Sequence, residues 1–147
     1  MSKKIIKIGC LSVGQHAIKN ILPTIKKLRN FHLVAIHTRP NNKKILSEDF
    51  GCKVFHDIDQ LLNIKEIEAI YISSPNSLHY VMAKKAILKK KNVIIEKPAT
   101  INVYQAKQLD ILAKKNNLVV MEALMYKFHR QFQEIKKIIE KKRIVKM

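Results

Sequence analysis

Short apolar runs alternate with stretches of helical periodicity along almost the whole chain. Ile5 to Leu11 is apolar apart from Lys7 and Gly9 and is bounded by Ser12 and Gly14, which predicts a first strand. Ala17, Ile21, Ile25 and Leu28 then recur at helical spacing, with Pro23 predicted to bend or interrupt the first turns. Phe31 to His37 is β-branched and stops at Arg39-Pro40-Asn41, a second strand. A short helix over Asn42 to Phe50 ends at Gly51, and Lys53 to Phe55 is a brief third strand. Asp57 is placed to cap a helix through Leu62, followed by a strand over Ile67 to Ser73 and a helix over Leu78 to Leu88. A strand over Asn92 to Ile95, a helix over Ile101 to Lys115 and a strand over Leu118 to Met121 complete the alternation.

Strands and helices in this order predict right-handed crossovers and a single α/β domain: a doubly wound parallel sheet, Rossmann-like, in three α/β/α layers. The boundary is drawn at 1–125, with 126–147 read as a connecting helix and the start of a further domain. In that last segment Phe128, Phe132, Ile135 and Ile139 stand at helical spacing, favouring a packing helix over one that binds a partner.

The chain has 147 residues, 47% of them hydrophobic, enough for one ordinary core. No run approaches the roughly 18 apolar residues of a membrane span, and Met1 to Lys4 lead into a strand rather than a signal-peptide core, so no membrane is expected and the compartment predicted is the cytoplasm. Cys10 and Cys52 lack metal or redox spacing and are read as structural thiols. A formal charge of +18 raises the question of nucleic acid, but the lysines are scattered over every predicted helix. Lys89-Lys90-Lys91, the densest group, falls at a helix end where cations favour the dipole. These are read as solvated faces, and no specific nucleic-acid partner is expected.

The turn after the first strand, Ser12-Val13-Gly14-Gln15-His16-Ala17, fits a Gly-x-Gly-x-x-Ala dinucleotide fingerprint whose first glycine is replaced. Gly14 and Ala17 supply the close approach to pyrophosphate and the small helix-sheet contact. If Ser12 must be left-handed, its side chain costs roughly 1–2 kcal/mol. At the end of the second strand, NAD sites place a carboxylate and 2′-phosphate sites a cation with hydroxyls. Here stand Thr38 and Arg39, so NADP is preferred and NAD kept open, against the plainer reading of Arg39 as a loop charge. Ser74-Pro75-Asn76 ends the fourth strand, where Pro75 holds the backbone extended and Asn76 offers amide hydrogen bonds. His79 suits a packing or capping role as well as a ligand contact.

Pro75-Asn76-Ser77-Leu78-His79, followed one helix later by Glu96-Lys97-Pro98, resembles the nucleotide-binding half of the glucose-fructose oxidoreductase, inositol dehydrogenase and rhizopine-catabolism family (Gfo/Idh/MocA). Met121 to His129 resembles the family's strand exit before its second domain, and Lys127 stands where the family often has arginine. The resemblance implies a nicotinamide dinucleotide partner, with Ser12, Gly14, Gln15, His16, Thr38, Arg39, Ser74, Pro75, Asn76, His79, Glu96 and Lys97 as its contacts. It implies Lys97 as the catalytic lysine beside the nicotinamide and the substrate hydroxyl, Glu96 as its orienting partner and Pro98 as the fixer of the turn. The intact activity implied is reversible hydride transfer to or from a sugar or polyol-type hydroxyl. The acid/base residues of the family lie in a second, largely antiparallel domain that Arg143 to Met147 resembles at its opening, so the isolated chain is expected to be inactive. The alternatives are a non-catalytic cofactor-sensing or interaction domain, or a subunit completed by another chain; the partners considered beside the cofactor are a second copy in a homo-oligomer or a complementing C-terminal-domain chain.

Overall fold

The computed structural model describes residues 4–39 and 43–140. The predicted helix start at Asn42 and the strand-like Arg143 to Met147 lie outside these residues. Six strands, β1 (Ile6–Leu11), β2 (Phe31–His37), β3 (Lys53–Phe55), β4 (Ala69–Ile72), β5 (Asn92–Ile95) and β6 (Val120–Glu122), form one sheet in the order β3-β2-β1-β4-β5-β6. Every pairing is parallel, as the alternation with helices predicts. The order reverses between β1 and β4. At such a switch point the connections leave in opposite directions and open a crevice at the carboxyl ends of the strands.

Two apolar clusters sandwich the sheet. On one face Leu11, Ile70, Ile72, Val93 and Ile95 pack against α3 (Ile58–Leu62), α4 (Asn76–Leu88) and α5 (Val103–Lys115) through Leu61, Leu62, Met82, Ala83, Ile87 and Leu109. On the other, Ile8, Cys10, Ile36 and Val54 meet Leu22 and Ile25 of α1 (Leu22–Lys27) and Leu46 of α2 (Lys43–Phe50). Each fully buried Ile or Leu contributes roughly 1.5–3 kcal/mol relative to an exposed one, so these layers hold the strand ends in place.

Local signals act where the sequence puts them. Pro23 has no N–H to continue the helical ladder, and Ala17–Ile21 ahead of it is a π-helical turn in which the Leu22 N–H donates to the Ala17 carbonyl. The Asp57 carboxylate caps α3 by accepting from the Asp59 N–H at 2.8 Å, and Gly51 closes α2 with φ +61°. Cys10 and Cys52 are buried free thiols; burial pushes Cys52 up to about 11 and Cys10 higher still, so both stay protonated packing groups.

Two expectations change. Lys91 is not a solvated helix-end charge: its buried ammonium donates to the carbonyls of Ile64 at 2.8 Å and Ile67 at 2.7 Å, tying the loop before β4 to the start of β5. Helix α6 (Arg130–Glu140) packs against the 3-10 turn Met125–Phe128, where Tyr126 and Phe132 meet edge to face, but Ile135, Ile138 and Ile139 remain exposed. The apolar stripe is present without the core that the spacing predicts for it. Among the described residues, no helix is long and apolar enough to cross a membrane, and no cluster of His, Cys, Asp or Glu could hold a metal ion.

Candidate functional site

At the β1/β4 switch point lies a cleft of about 670 Å³, walled by three strand exits. Ser12 to Gln15 come from β1, His37 to Arg39 from β2, and Ser73 to Pro75 from β4, with Leu78 and Met82 of α4 behind them. Seven of the twelve cofactor contacts that the sequence nominates thus meet in one space: Ser12, Gly14, Gln15, Thr38, Arg39, Ser74 and Pro75. His16, Asn76, His79, Glu96 and Lys97 do not line it. His16 is exposed immediately before the π-helical turn Ala17–Ile21, its ring beside the Asn20 amide at 3.2 Å. Asn76 is exposed at the first position of α4.

The cleft is shaped mainly by backbone. Ser12 has φ +54°, the left-handed conformation that the fingerprint reserves for glycine, and its N–H donates to His37 Nδ1 at 3.1 Å. His37 therefore presents that nitrogen without a proton, and burial pulls its ring below the usual imidazole range. Thr38 is buried, with its hydroxyl donating to the Val13 carbonyl at 3.1 Å and its N–H to the Phe55 carbonyl at 3.1 Å. The hydroxyl is thus engaged in holding the glycine turn against β2. Beyond it Arg39 is exposed along the cleft wall. No protein atom lies within 4 Å of where a Cβ on Gly14 would sit. Packing within the chain therefore does not require glycine at this position.

One strand beyond β4 along the same rim, the turn after β5 carries Glu96-Lys97-Pro98. Lys97 is exposed, its N–H donating to the Glu96 carboxylate at 3.3 Å. Glu96 accepts from the hydroxyl of Tyr71 on β4. Burial, together with that carboxylate, pushes the Tyr71 phenol well up from its ordinary value. His79 is completely buried, with Nδ1 2.7 Å from the Pro98 carbonyl oxygen and Nε2 2.8 Å from that of Ser74. Both ring nitrogens of His79 thus face backbone carbonyls of the chain itself. The Ala99 N–H donates to the carboxylate of Glu122 on β6 at 2.9 Å. His37, Tyr71 and Glu122 are not among the residues that the sequence nominates. His37 could have been found from its place beside Thr38 at a strand end, whereas Tyr71 and Glu122 meet their partners 25 and 23 positions away with no local cue.

A switch-point crevice lined by a glycine turn, a basic strand end and a Ser-Pro turn defines a dinucleotide-binding Rossmann domain. The description of an oxidoreductase family with an NAD-binding Rossmann fold, Gfo/Idh/MocA, matches residues 4–124, and the chain belongs to that family. It is 26% identical over 136 residues to a dTDP-3,4-didehydro-2,6-dideoxy-alpha-D-glucose 3-reductase of Streptomyces violaceoruber, covering 92% of this chain and 40% of the relative. It is 29% identical over 122 residues to an NADP(+)-dependent scyllo-inositol 2-dehydrogenase of Bacillus subtilis, covering 82% of this chain and 37% of the relative. The fold superimposes on a 3-ketoreductase from Actinomadura kijaniata, solved in complex with NADP and TDP-benzene, with a TM-score of 0.87 and 26% identity over 94% of this chain and 43% of that one. The chain thus spans about two fifths of the length of these relatives and is an NAD(P)-binding oxidoreductase domain.

Proposed function

We propose that this domain binds NADP in preference to NAD and serves an enzyme that moves hydride reversibly between the cofactor and a sugar or polyol-type carbon bearing a hydroxyl. The observation that carries the reading is the convergence of Ser12 to Gln15, Thr38-Arg39 and Ser73 to Pro75 on one cleft at the sheet's switch point. The open space in front of Gly14 and the absence of a carboxylate from the end of β2 fit a phosphorylated dinucleotide. A bound nicotinamide ring supplies the hydride donor or acceptor.

The chain's own residues supply binding and charge. The turn at Gly14 lets backbone approach the pyrophosphate, and the first turn of the following helix, at Gln15 and His16, offers N–H groups and the positive end of the helix dipole. Arg39 pairs with a 2′-phosphate through two parallel N–H donors, which a ribose hydroxyl cannot match. Lys97, exposed on the rim, places an ammonium beside the substrate oxygen, where it donates a hydrogen bond and stabilises negative charge developing on that atom. Residues 126–147 open the connection to a second domain. The reading draws support from the relatives that act on a nucleotide-linked sugar and on an inositol with NADP(+).

Alone, the chain binds cofactor without turnover. The exposed stripe of Ile135, Ile138 and Ile139 on α6 favours an arrangement in which a second domain, on this chain or another, completes the enzyme. A thermal-shift titration tests the cofactor assignment, because a ligand that binds only the native state raises the midpoint with concentration. NADPH is expected to raise it further than NADH at equal concentration. No rise with either at millimolar concentration would overturn the assignment.

A further inference from the structure

The Glu96-Lys97-Pro98 turn is fastened by side chains from three other elements. Its carboxylate accepts from the Tyr71 hydroxyl on β4. Its Pro98 carbonyl faces His79 Nδ1 of α4 at 2.7 Å, while the opposite ring nitrogen faces the Ser74 carbonyl of the cleft at 2.8 Å. The Ala99 N–H just beyond donates to Glu122 of β6 at 2.9 Å. Carbonyl oxygens only accept, so each His79 contact is a hydrogen bond when that nitrogen carries a proton, and the ring spans the gap between the two turns. Backbone bonds anchor the start of the same loop on both sides, from the Glu96 N–H to the Ile72 carbonyl at 3.0 Å and from the Ala123 N–H to the Ile95 carbonyl at 2.8 Å. Tyr71 and His79 are buried, and Lys97, between these fixings, is exposed.

We infer that Tyr71, His79 and Glu122 are positioning residues, a three-point tether that fixes the Lys97 turn relative to the Ser74-Pro75 wall and so aims the lysine at the nicotinamide end of the site. The assignment rests on the proposed cofactor reading. A packing role alone would make these groups matter equally to every ligand of the cleft. A tether on the Lys97 turn matters only to ligands that reach that turn. The adenine half of the cofactor, 2′,5′-ADP, reaches Arg39 and stops short of the nicotinamide side; NADPH spans both.

The test titrates the full chain and its Tyr71→Phe, Glu122→Ala and Glu122→Gln variants with NADPH and, separately, with 2′,5′-ADP by calorimetry. Loss of one hydrogen bond to the turn is expected to weaken NADPH about fivefold and to leave 2′,5′-ADP within about twofold. Glu122→Gln, which keeps an oxygen for the Ala99 N–H, is expected to recover most of the NADPH affinity that Glu122→Ala loses. Equal weakening of both ligands, or no weakening of either, would overturn the tether and leave the cofactor site standing. An unmodified chain that binds neither ligand would instead overturn the cofactor reading. If Tyr71→Phe fails to fold, the half-buried Glu122 pair carries the same comparison.

Discussion

The two ends of the sheet's carboxyl rim are built on different principles. At the β1/β2/β4 cleft the walls are backbone: a left-handed Ser12, a glycine turn, and Thr38 bonded to Val13. At the β5 turn the loop is held by side chains that arrive from three separate elements, Tyr71 and His79 buried and Glu122 half-buried. A surface that must admit a long ligand along its whole length needs exposed N–H groups and little bulk. A surface that must hold one ammonium in one direction needs fixed neighbours. The same fold supplies both, because every strand ends on the same side of the sheet.

The contrast breaks most cleanly at Gly14. A Gly14→Leu variant meets no protein atom within 4 Å at its Cβ, so its thermal midpoint is expected to stay unchanged while NADPH affinity falls at least about a hundredfold, about 2.7 kcal/mol, as calorimetry would read. A large loss of stability would mean that the turn serves packing instead. The next effect is smaller and selective. Arg39→Ala is expected to cost NADPH about tenfold in affinity and to leave NADH nearly untouched, since only the 2′-phosphate uses both guanidinium donors. Equal losses for the two cofactors would remove the argument for NADP.

Ser12 offers the smallest change and reverses its sign. Its left-handed φ of +54° costs a side chain roughly 1–2 kcal/mol, part of which glycine returns as backbone entropy in the unfolded chain. Ser12→Gly is therefore expected to raise stability by about 1 kcal/mol in a denaturation curve, with cofactor affinity equal or better. A loss of stability would show that the hydroxyl, 3.6 Å from the Met82 sulfur, matters more than the backbone strain.

Much of this was legible in the chain. The apolar run Ala69-Ile70-Tyr71-Ile72, buried at every position, could only be an inner strand, and Asp57, Gly51 and Pro23 each act through one local rule. The cleft was readable for the same reason: its parts follow strand ends at short, recognisable turns. The tether was not, because Tyr71 finds Glu96 across 25 positions and a strand pairing, and alternation along β4 says only which face the ring takes. Thr38 illustrates a third case. Its position was evident, but its hydroxyl is spent on Val13, a contact that exists only once the turn has folded against β2. The stripe on α6 was equally plain as a pattern, while what lies against it depends on elements other than the helix itself.

One ligand is proposed to lie along the rim from Arg39 past Gly14 to Lys97. Backbone amide shifts recorded by NMR while NADP+ is titrated into the full chain test it most directly. Concerted shifts are expected at residues 12–16, 38, 39, 73, 74, 76, 96, 97 and 99, the prolines at 75 and 98 having no amide proton, and they saturate with one dissociation constant. Shifts confined to the opposite edge of the sheet, around Lys4, Phe31 and Asn92, or none at all, would contradict it.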